Sequence, residues 1–449
     1  MSRKFSINTY NLKAIALFLV CYILALVFDN AGIPAVGSAL LLASAVVSYI
    51  LFVKEGRNFA DLRALLCLSW EAGLALSLLK LSKLHTEWTM VSKICFALFI
   101  VMFLLGSAAE GKGKETKDIK DRKKVISISE KLIVITAAVT FAAFAAEVII
   151  LGYVPAFSKE PHAYSYFHVT GIHYFTISAV MTHALTAVWF LNLKKEGVKP
   201  ARRIKALILI CNIVSLTQTV LCISKLQLFF VVGIPAVIFI AGYRVKSFKK
   251  LPWKRIIIVF SAMLILGIAS VVAFTKLRHY EPGYLQEVFE FYEPDTPVAI
   301  QYPYMYIANN YANFNYLTEA LPEYTYGIKQ AFPVFALTGL KFVFPQVSSY
   351  MVYVVKEEIN TLTIIYDAYY DFGVAGVGLL GLLLGLLASF LKRRISFTKN
   401  PAWLILYGQV ALYFSLSFFS TWFSIAASWF WFAVTLIYGI VWRRADDKT

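Results

Sequence analysis

The chain has 449 residues, of which 59% are hydrophobic and only 15% are charged. Soluble globular proteins carry charge on roughly a quarter of their residues, so this composition excludes an ordinary soluble domain and predicts a surface that faces mostly lipid. The formal net charge of +17 does not require a nucleic-acid partner, because Lys and Arg also accumulate in the inner loops of membrane proteins.

Apolar segments recur along the whole chain. The basic N-terminal residues 1–13 precede an apolar run without a small-residue cleavage site, which predicts a first transmembrane helix and not a removed signal. A helix that crosses a bilayer needs about 20 mostly apolar residues. On that basis the sequence predicts twelve spans, at residues 15–28, 34–53, 62–79, 89–109, 132–151, 172–193, 206–223, 226–243, 256–275, 361–391, 402–420 and 422–441. The tenth exceeds one crossing, which predicts a bend near Gly373 and Gly376 or an extension beyond the bilayer.

The positive charges predict the orientation. If the N-terminus is inside, seven segments lie on the inner side: 1–14, 54–63, 110–131, 194–205, 244–255, 392–400 and 442–449. These segments contain 33 of the 43 Lys and Arg residues. Cytoplasmic loops carry such an excess, so the sequence predicts that both termini are cytoplasmic.

One predicted outer connection is much longer than the others. Residues 276–360 form a loop rich in Tyr, Asn, Pro and Glu, with an amphipathic stretch at 284–292 and an apolar stretch at 328–344 that Pro333 and Gly339 interrupt. We expect short helices at the outer membrane interface. The predicted organisation is an all-α polytopic membrane protein in which 1–275 hold spans one to nine, 276–360 form the outer loop and 361–449 hold the last three spans.

Two cationic positions stand out on the predicted outer side. Arg278 is the only arginine there, and His279 and Glu281 follow it. Lys225 lies in a tight hairpin between two spans. Arginine suits phosphate oxygens and a lysine can bind an anion at the membrane surface. Both residues are also explained as cations that extend from span ends to the membrane surface, and for Lys225 taken alone this explanation is favoured.

Two polar runs are candidates for sugar binding. Asn360, Thr363, Asp367 and Asp371 recur at spacings of three and four, which predicts one polar face of a helix, although Asn360 is also a candidate helix N-cap. The aromatic–amide run, residues 302–316, combines tyrosines with four asparagines: Asn309, Asn310, Asn313 and Asn315. Tyrosine rings stack on sugars and amides pair with hydroxyls, but an aromatic belt at the headgroups also explains the tyrosines.

Other polar residues lie inside predicted spans. Glu71, Glu147 and His183 suit proton coupling in a transporter, or are satisfied inside the bundle. The five cysteines lie within or beside apolar runs without metal-ligand spacing, so the sequence predicts no metal site and no cofactor.

Several of these features together resemble the Wzy-type oligosaccharide repeat-unit polymerases, relatives of the O-antigen ligases. The resemblance covers nearly the whole length in its organisation. Tyr324-Thr-Tyr-Gly327 before Pro333 is similar to the family's Tyr-x-Tyr-Gly and Pro region, and Asp371-Phe-Gly-Val-Ala-Gly376 is similar to its Asp-Phe-Gly-x-x-Gly helix. The hairpin at 223–226 departs from the family's Gly-Ser-Arg-Gly segment, because Lys225 stands at the arginine position and the glycines are absent.

The resemblance implies a GT-C-like fold and a function. The protein would join oligosaccharide repeat units carried on polyprenyl diphosphate, at the outer face of the bacterial cytoplasmic membrane. It implies a lipid-linked oligosaccharide and membrane lipids as ligands, with a chain-length regulator and a flippase as further partners and no nucleic acid.

The residues supply candidate roles in that reaction. Lys225 and Arg278 would neutralise the leaving diphosphate. The base would be His279, whose ordinary pKa lies near neutrality, or else Glu281 or Glu290. The remaining candidates would hold sugar hydroxyls: Asn309, Asn310, Asn315, Tyr326, Asn360, Thr363, Asp367 and Asp371.

Two rival functions stay open. A ligase-type glycan transferase would share this architecture and differ in its acceptor. A lipid-linked oligosaccharide flippase, or another transporter, would predict repeated halves and a cationic cavity at mid-membrane, and the sequence contains no convincing repeat.

Overall fold

The computed structural model describes residues 8–109, 121–160, 163–242, 283–397 and 400–447. These residues are helical and contain no β-strand; one isolated bridge pairs Ser82 with Phe291. In chain order the α-helices are α1 (Thr9–Asn30), α2 (Pro34–Gly56), α3 (Leu62–Leu78), α4 (Met90–Ser107), α5 (Arg122–Leu151), α6 (Ala163–Tyr166), α7 (Ile172–Thr176), α8 (Val180–Glu196), α9 (Arg202–Leu221), α10 (Lys225–Gly242), α11 (Tyr284–Phe289), α12 (Val298–Ala320), α13 (Ile328–Thr338), α14 (Tyr366–Phe397), α15 (Ala402–Ser415) and α16 (Ala426–Asp447).

Nine helices in the described ranges are long and apolar enough to cross a membrane, which establishes a polytopic membrane architecture. Three of the twelve predicted spans are not among them. Helix α3 has 17 residues and α15 has 14, and both are shorter than a full crossing requires. The predicted span at 256–275 lies outside the described residues.

The chain divides into two compact units. The first comprises Met1–Lys114, Pro282–Ser396 and Tyr413–Trp429, and the second comprises Glu115–Glu281, Phe397–Leu412 and Phe430–Thr449. In the second unit, buried polar pairs join different helices. The Trp442 indole donates to the Ser129 hydroxyl at 3.2 Å, and the Gln409 amide donates to the Thr435 hydroxyl at 3.0 Å.

Glycines allow close helix packing in the first unit. A Cβ atom at Gly385 of α14 would lie 2.1 Å from the carbonyl oxygen of Phe103 in α4. A Cβ at Gly106 of α4 would lie 2.2 Å from the carbonyl oxygen of Leu382. Small residues at such crossings let helix backbones approach each other in a membrane, where dispersion contacts provide most of the attraction.

The predicted bend in the tenth span is present. Phe372 and Gly373 interrupt the helical geometry of α14, and Gly373 has φ +59° and ψ −143°. A side chain at Gly373 would meet the Tyr324 hydroxyl at 2.7 Å, so the position requires glycine for its backbone and for space. The helix begins at Tyr366, and Asn360 therefore lies before it.

The long connection contains one helix that the sequence analysis did not predict. Helix α12 has 23 residues and packs along α3 and α4, instead of lying as a short segment at the interface. The Tyr311 hydroxyl on this helix donates to the carbonyl oxygen of Trp70, near the middle of α3, at 3.1 Å. The tyrosines and asparagines concealed this helix in the sequence because they interrupt its apolar pattern, yet most of them are buried.

Candidate functional site at one end of the first unit

Three connecting segments meet at one end of the first unit's helices. The Ser82 hydroxyl donates to the carbonyl oxygen of Phe289 at 2.7 Å, and the N–H of Leu81 donates to the Tyr304 hydroxyl at 2.9 Å. The Asn310 amide donates to the carbonyl oxygen of Phe418 at 2.6 Å. The topology predicted from the sequence assigns the segments of Ser82 and Phe289 to the outer side, and it places Phe418 near the outer end of the predicted span 402–420.

Of the four predicted catalytic residues, only Glu290 belongs to the described part of the chain. Arg278, His279 and Glu281 lie outside the described residues. Glu290 is described, and its carboxylate accepts a hydrogen bond from the Lys356 ammonium at 2.6 Å, with the Glu290 side chain 40% exposed. Both partners are solvent-accessible, so this pair contributes little to stability and leaves Glu290 reachable.

Lys225, the predicted diphosphate ligand, is the first residue of α10 in the second unit. Its side chain is half-buried, directly after the tight turn at Ile223, whose φ is +51°. The structure therefore confirms a hairpin at this position, and the diphosphate role of Lys225 stays a prediction.

The asparagines of the aromatic–amide run are engaged inside the protein. Asn309, Asn310 and Asn313 are fully buried, and Asn315 is 1% exposed. Asn310 donates to the Tyr306 and Phe418 carbonyls at 2.7 and 2.6 Å, and its own oxygen accepts from the Thr361 hydroxyl at 2.5 Å.

Asn315 has a similar role at the opposite end of the run. It donates to the Glu87 carbonyl at 3.0 Å and accepts the N–H of Thr89 at 2.8 Å. These amides join α12 to its neighbouring segments, and none of them faces solvent. Their role in glycan binding stays a prediction, and the structure gives them a structural role that the sequence did not indicate.

The remaining predicted glycan ligands do not share one face of a helix, contrary to the sequence prediction. Asn360 is exposed and Thr363 is buried, and both precede α14. The Thr363 hydroxyl oxygen has no hydrogen-bond partner among the described residues. Only Asp367 and Asp371 lie on α14, one helical turn apart. Tyr326 is 77% exposed, on the turn before α13.

Asp371 is fully buried and organises the turn before α13. Its Oδ1 accepts the Thr325 hydroxyl at 2.5 Å and the N–H of Lys329 at 3.0 Å, and its Oδ2 accepts the N–H of Gln330 at 2.8 Å. The backbone N–H of Tyr326 donates to the Asp371 carbonyl oxygen at 3.1 Å. This position stabilises a carboxylate, because the first N–H groups of a helix have no partners within the helix.

Asp367 faces a second loop. Its Oδ2 accepts a short hydrogen bond from the Ser424 hydroxyl, and the residue is 8% exposed. The preceding residue, Tyr366, holds the segment before α14. Its hydroxyl accepts the N–H of Tyr353 at 2.8 Å and donates to the Tyr353 carbonyl oxygen at 2.9 Å.

Lys329 completes the site and was not predicted from the sequence. Its ammonium lies 4.6 Å from the centre of the Tyr370 ring and 5.7 Å from that of Tyr350. Burial lowers the pKa of Lys329, and the charges of Asp367 and Asp371 oppose that shift. A cation over an aromatic face is stabilised by the ring quadrupole. The only signal in the sequence was its place two residues after Gly327, at the start of an apolar stretch.

Lys329, Asp367 and their tyrosines form the candidate site. A half-buried ammonium attracts an anionic ligand such as a diphosphate or a sugar carboxylate. A carboxylate in contact with a hydroxyl holds or accepts protons. Exposed aromatic side chains at its edge, Tyr326 and Phe372, offer surfaces for stacking.

Glu147, a buried acidic residue outside this site, has its own partners. In the second unit, Glu147 accepts the N–H of Val169 at 2.9 Å and pairs with the His173 ring at 3.0 Å. Among the described residues, no three His, Cys, Asp or Glu side chains gather where they would hold a metal ion.

No protein-family model, curated protein or solved structure matches the chain.

Proposed function

We propose that the chain is a membrane glycosyltransferase that polymerises oligosaccharide repeat units carried on polyprenyl diphosphate, at the outer face of the bacterial cytoplasmic membrane. One observation carries the proposal. The two segments that resemble the polymerase motifs, 324–327 and 371–376, are distant in sequence but contact each other through Thr325 and Asp371. Lys329 lies in the same site.

The reaction requires stabilisation of a leaving group. The bond between the donor's anomeric carbon and the diphosphate oxygen breaks, and a bond from that carbon to an acceptor hydroxyl forms. Negative charge develops on the polyprenyl diphosphate, and Lys329 stabilises that charge. The acceptor proton passes to a base, for which Asp367 is the candidate in this site. His279, the first candidate from the sequence, lies outside the described residues.

The site also suits an extended glycan. Tyr326 is exposed beside a turn that Asp371 holds in place, and Phe372 lies against the same turn. Aromatic rings fixed in this way stack against sugars at a low cost in conformational entropy. A lipid-linked substrate reaches the site from the membrane by passing along the apolar helices beside the site. These helices also exclude water from the leaving group.

The test is reconstitution of the purified full chain with a lipid-diphosphate-linked repeat unit, followed by gel analysis of the products. We expect a ladder of glycans with the wild type and a loss of polymerisation rate of about 100-fold or more in Lys329→Ala, the magnitude typical of a lost charge stabiliser. Lys341→Ala is the matched control, because Lys341 lies on the same connection against its own neighbour, Phe342. This variant should retain the ladder.

Other outcomes assign the rival functions. Transfer of a preformed glycan to a different acceptor, without a ladder, indicates a ligase-type transferase. Movement of the intact lipid-linked glycan between leaflets, without new glycosidic bonds, indicates a flippase. A full ladder from Lys329→Ala contradicts the role of Lys329, and Arg278→Ala then tests the remaining predicted cation.

A further inference from the structure

A carboxylic acid lies in the middle of the first unit's helices, apart from the proposed catalytic site. Glu71 is on α3 and is fully buried. Its Oε2 atom accepts a hydrogen bond from the Ser44 hydroxyl of α2 at 2.5 Å. Its Oε1 atom has no hydrogen-bond partner among the described residues, and neither has the hydroxyl of Ser48, one turn further along α2.

No cation neutralises this carboxyl. Among the described residues, Glu71 takes part in no ion pair. Arg63, two turns earlier on the same helix, is engaged by Asp61 at 3.0 Å and by Glu55 at 2.5 Å.

The other titratable groups near Glu71 are neutral thiols and a phenol. Cys67 lies one turn before it on α3, and Cys21 of α1 lies close enough to interact with it. From α12, the hydroxyl of Tyr311 reaches Gly73 and the carbonyl oxygen of Trp70. None of these groups supplies a positive charge.

The protonation state follows from solvation. An ionised carboxylate without a cation loses its hydration inside a helix bundle and gains no compensating charge, so the neutral acid is favoured. A neutral carboxylic acid has one O–H donor. Ser48 shares a helix face with Ser44. A hydrogen bond from a protonated Oε1 of Glu71 to the Ser48 hydroxyl oxygen would satisfy both unpartnered atoms.

We propose that Glu71 is a proton-binding site in the α1–α3 helices, which holds its proton at neutral pH and donates it toward Ser48. Such carboxyl groups inside membrane helices exchange protons when helix movement brings water or a cation to them. The site therefore gives the protein a group able to respond to the proton gradient. The proposal concerns α1–α3 and does not depend on the glycan reaction.

The experiment is infrared spectroscopy of the purified full chain in lipid at pH 7, in sodium chloride or in choline chloride. The wild type should show the carbonyl stretch of a neutral carboxylic acid, and Glu71→Gln should lack it. Glutamine has the shape of the neutral acid, so this variant should keep its melting temperature. Glu319→Gln is the control, because Glu319 is exposed and its replacement should leave the neutral-acid band unchanged.

Two results overturn the proposal. If Glu71→Gln loses carboxylate bands and keeps the neutral-acid band, Glu71 is ionised. If sodium removes the wild-type acid band while choline leaves it, Glu71 binds sodium in place of a proton. The measurement uses no glycan substrate, so its result is independent of the polymerisation assay.

Discussion

The carboxylate of Asp371 lies at the N-terminus of α13, where its Oδ1 accepts the backbone N–H of Lys329 at 3.0 Å. The two residues are 42 positions apart in sequence. Asp371, a residue of α14, therefore fixes the position at which α13 begins. It also fixes the direction in which the Lys329 side chain projects. The bend at Phe372 and Gly373, directly after Asp371, lets α14 present Asp371 to the turn.

Asp371→Ala should destabilise this end of the first unit. The Thr325 hydroxyl and the N–H groups of Lys329 and Gln330 all lose an acceptor in a buried place. We expect the free energy of unfolding to fall by about 1–3 kcal/mol, the range for a lost helix cap and buried unpaired donors. Thermal unfolding in detergent measures it. Asp295→Ala, at an exposed aspartate, should unfold as the wild type does.

The Lys329 amine should titrate below the ordinary lysine value of 10.5. Burial lowers its pKa, and so the amine is neutral at a lower pH than a free lysine. Mass spectrometry after brief acylation at a series of pH values measures this midpoint. Asp367→Asn should lower the midpoint further, because the negative charge of Asp367 stabilises the ammonium in the wild type and is absent from the variant. A midpoint at or above 10.5 would contradict the buried environment described here.

The same shift fixes the sign of a stability change. Because the folded pKa of Lys329 is lowered, the unfolded chain binds more protons between that pKa and 10.5. Lys329 should therefore favour the folded state more as the pH rises through that window. Relative to Lys329→Gln, the wild type should gain melting temperature in alkaline buffers, and a relative loss would contradict the sign.

Asn310→Ala tests the structural role of the aromatic–amide run. The change removes the partner of the Phe418 carbonyl and of the Thr361 hydroxyl, both in contact with a fully buried side chain. A loss of about 2–4 kcal/mol follows from two buried polar groups left unpaired. The matched change is Asn360→Ala, because Asn360 is exposed. It should unfold as the wild type does, and only its effect on glycan binding would reveal a ligand role.

The extent to which the sequence predicted this structure depended on the kind of signal. Apolar run length is a strong signal, so nine of the twelve predicted spans coincide with described helices that are long and apolar enough to cross a membrane, although their ends differ. Helix α12 was not predicted because its amides and tyrosines gave the segment the composition of a polar loop. The partners of these amides are mostly backbone carbonyls, which lie close to them only in the folded chain.

The candidate site was predicted in part for a similar reason. Asp367 and Asp371 were singled out because acidic residues are rare in membrane helices. Asn360 and Thr363 were placed on the same helical face, yet the chain before Tyr366 is held away from helical geometry, in part by the bond from the N–H of Ile364 to the Ser417 carbonyl. Lys329 has no local sequence signal, because tertiary contacts alone create its environment.

Arg63→Met should be among the most destabilising changes in the first unit. Arg63 is 4% exposed and pairs with Asp61 at 3.0 Å and with Glu55 at 2.5 Å, at the end of α3 predicted to be cytoplasmic. Removing the guanidinium leaves a buried carboxylate without its partner, which costs about 3–5 kcal/mol. Lys392→Ala is the control, because Lys392 is 43% exposed and lies 3.7 Å from Asp61, and it should change stability by less than about 1 kcal/mol.

The pH dependence of these variants identifies the cause. Burial disfavours the Asp61 charge, but Arg63 outweighs it and holds the pKa of Asp61 below the ordinary 3.8. Because that folded pKa is lowered, the stabilisation is complete above pH 3.8 and disappears as the pH falls through the folded value. The melting temperatures of the wild type and Arg63→Met should therefore approach each other as the pH falls from 7 towards the folded pKa of Asp61. A constant difference across that range would show that Arg63 acts through packing on Phe52, whose ring lies 4.5 Å from the guanidinium, and not through charge.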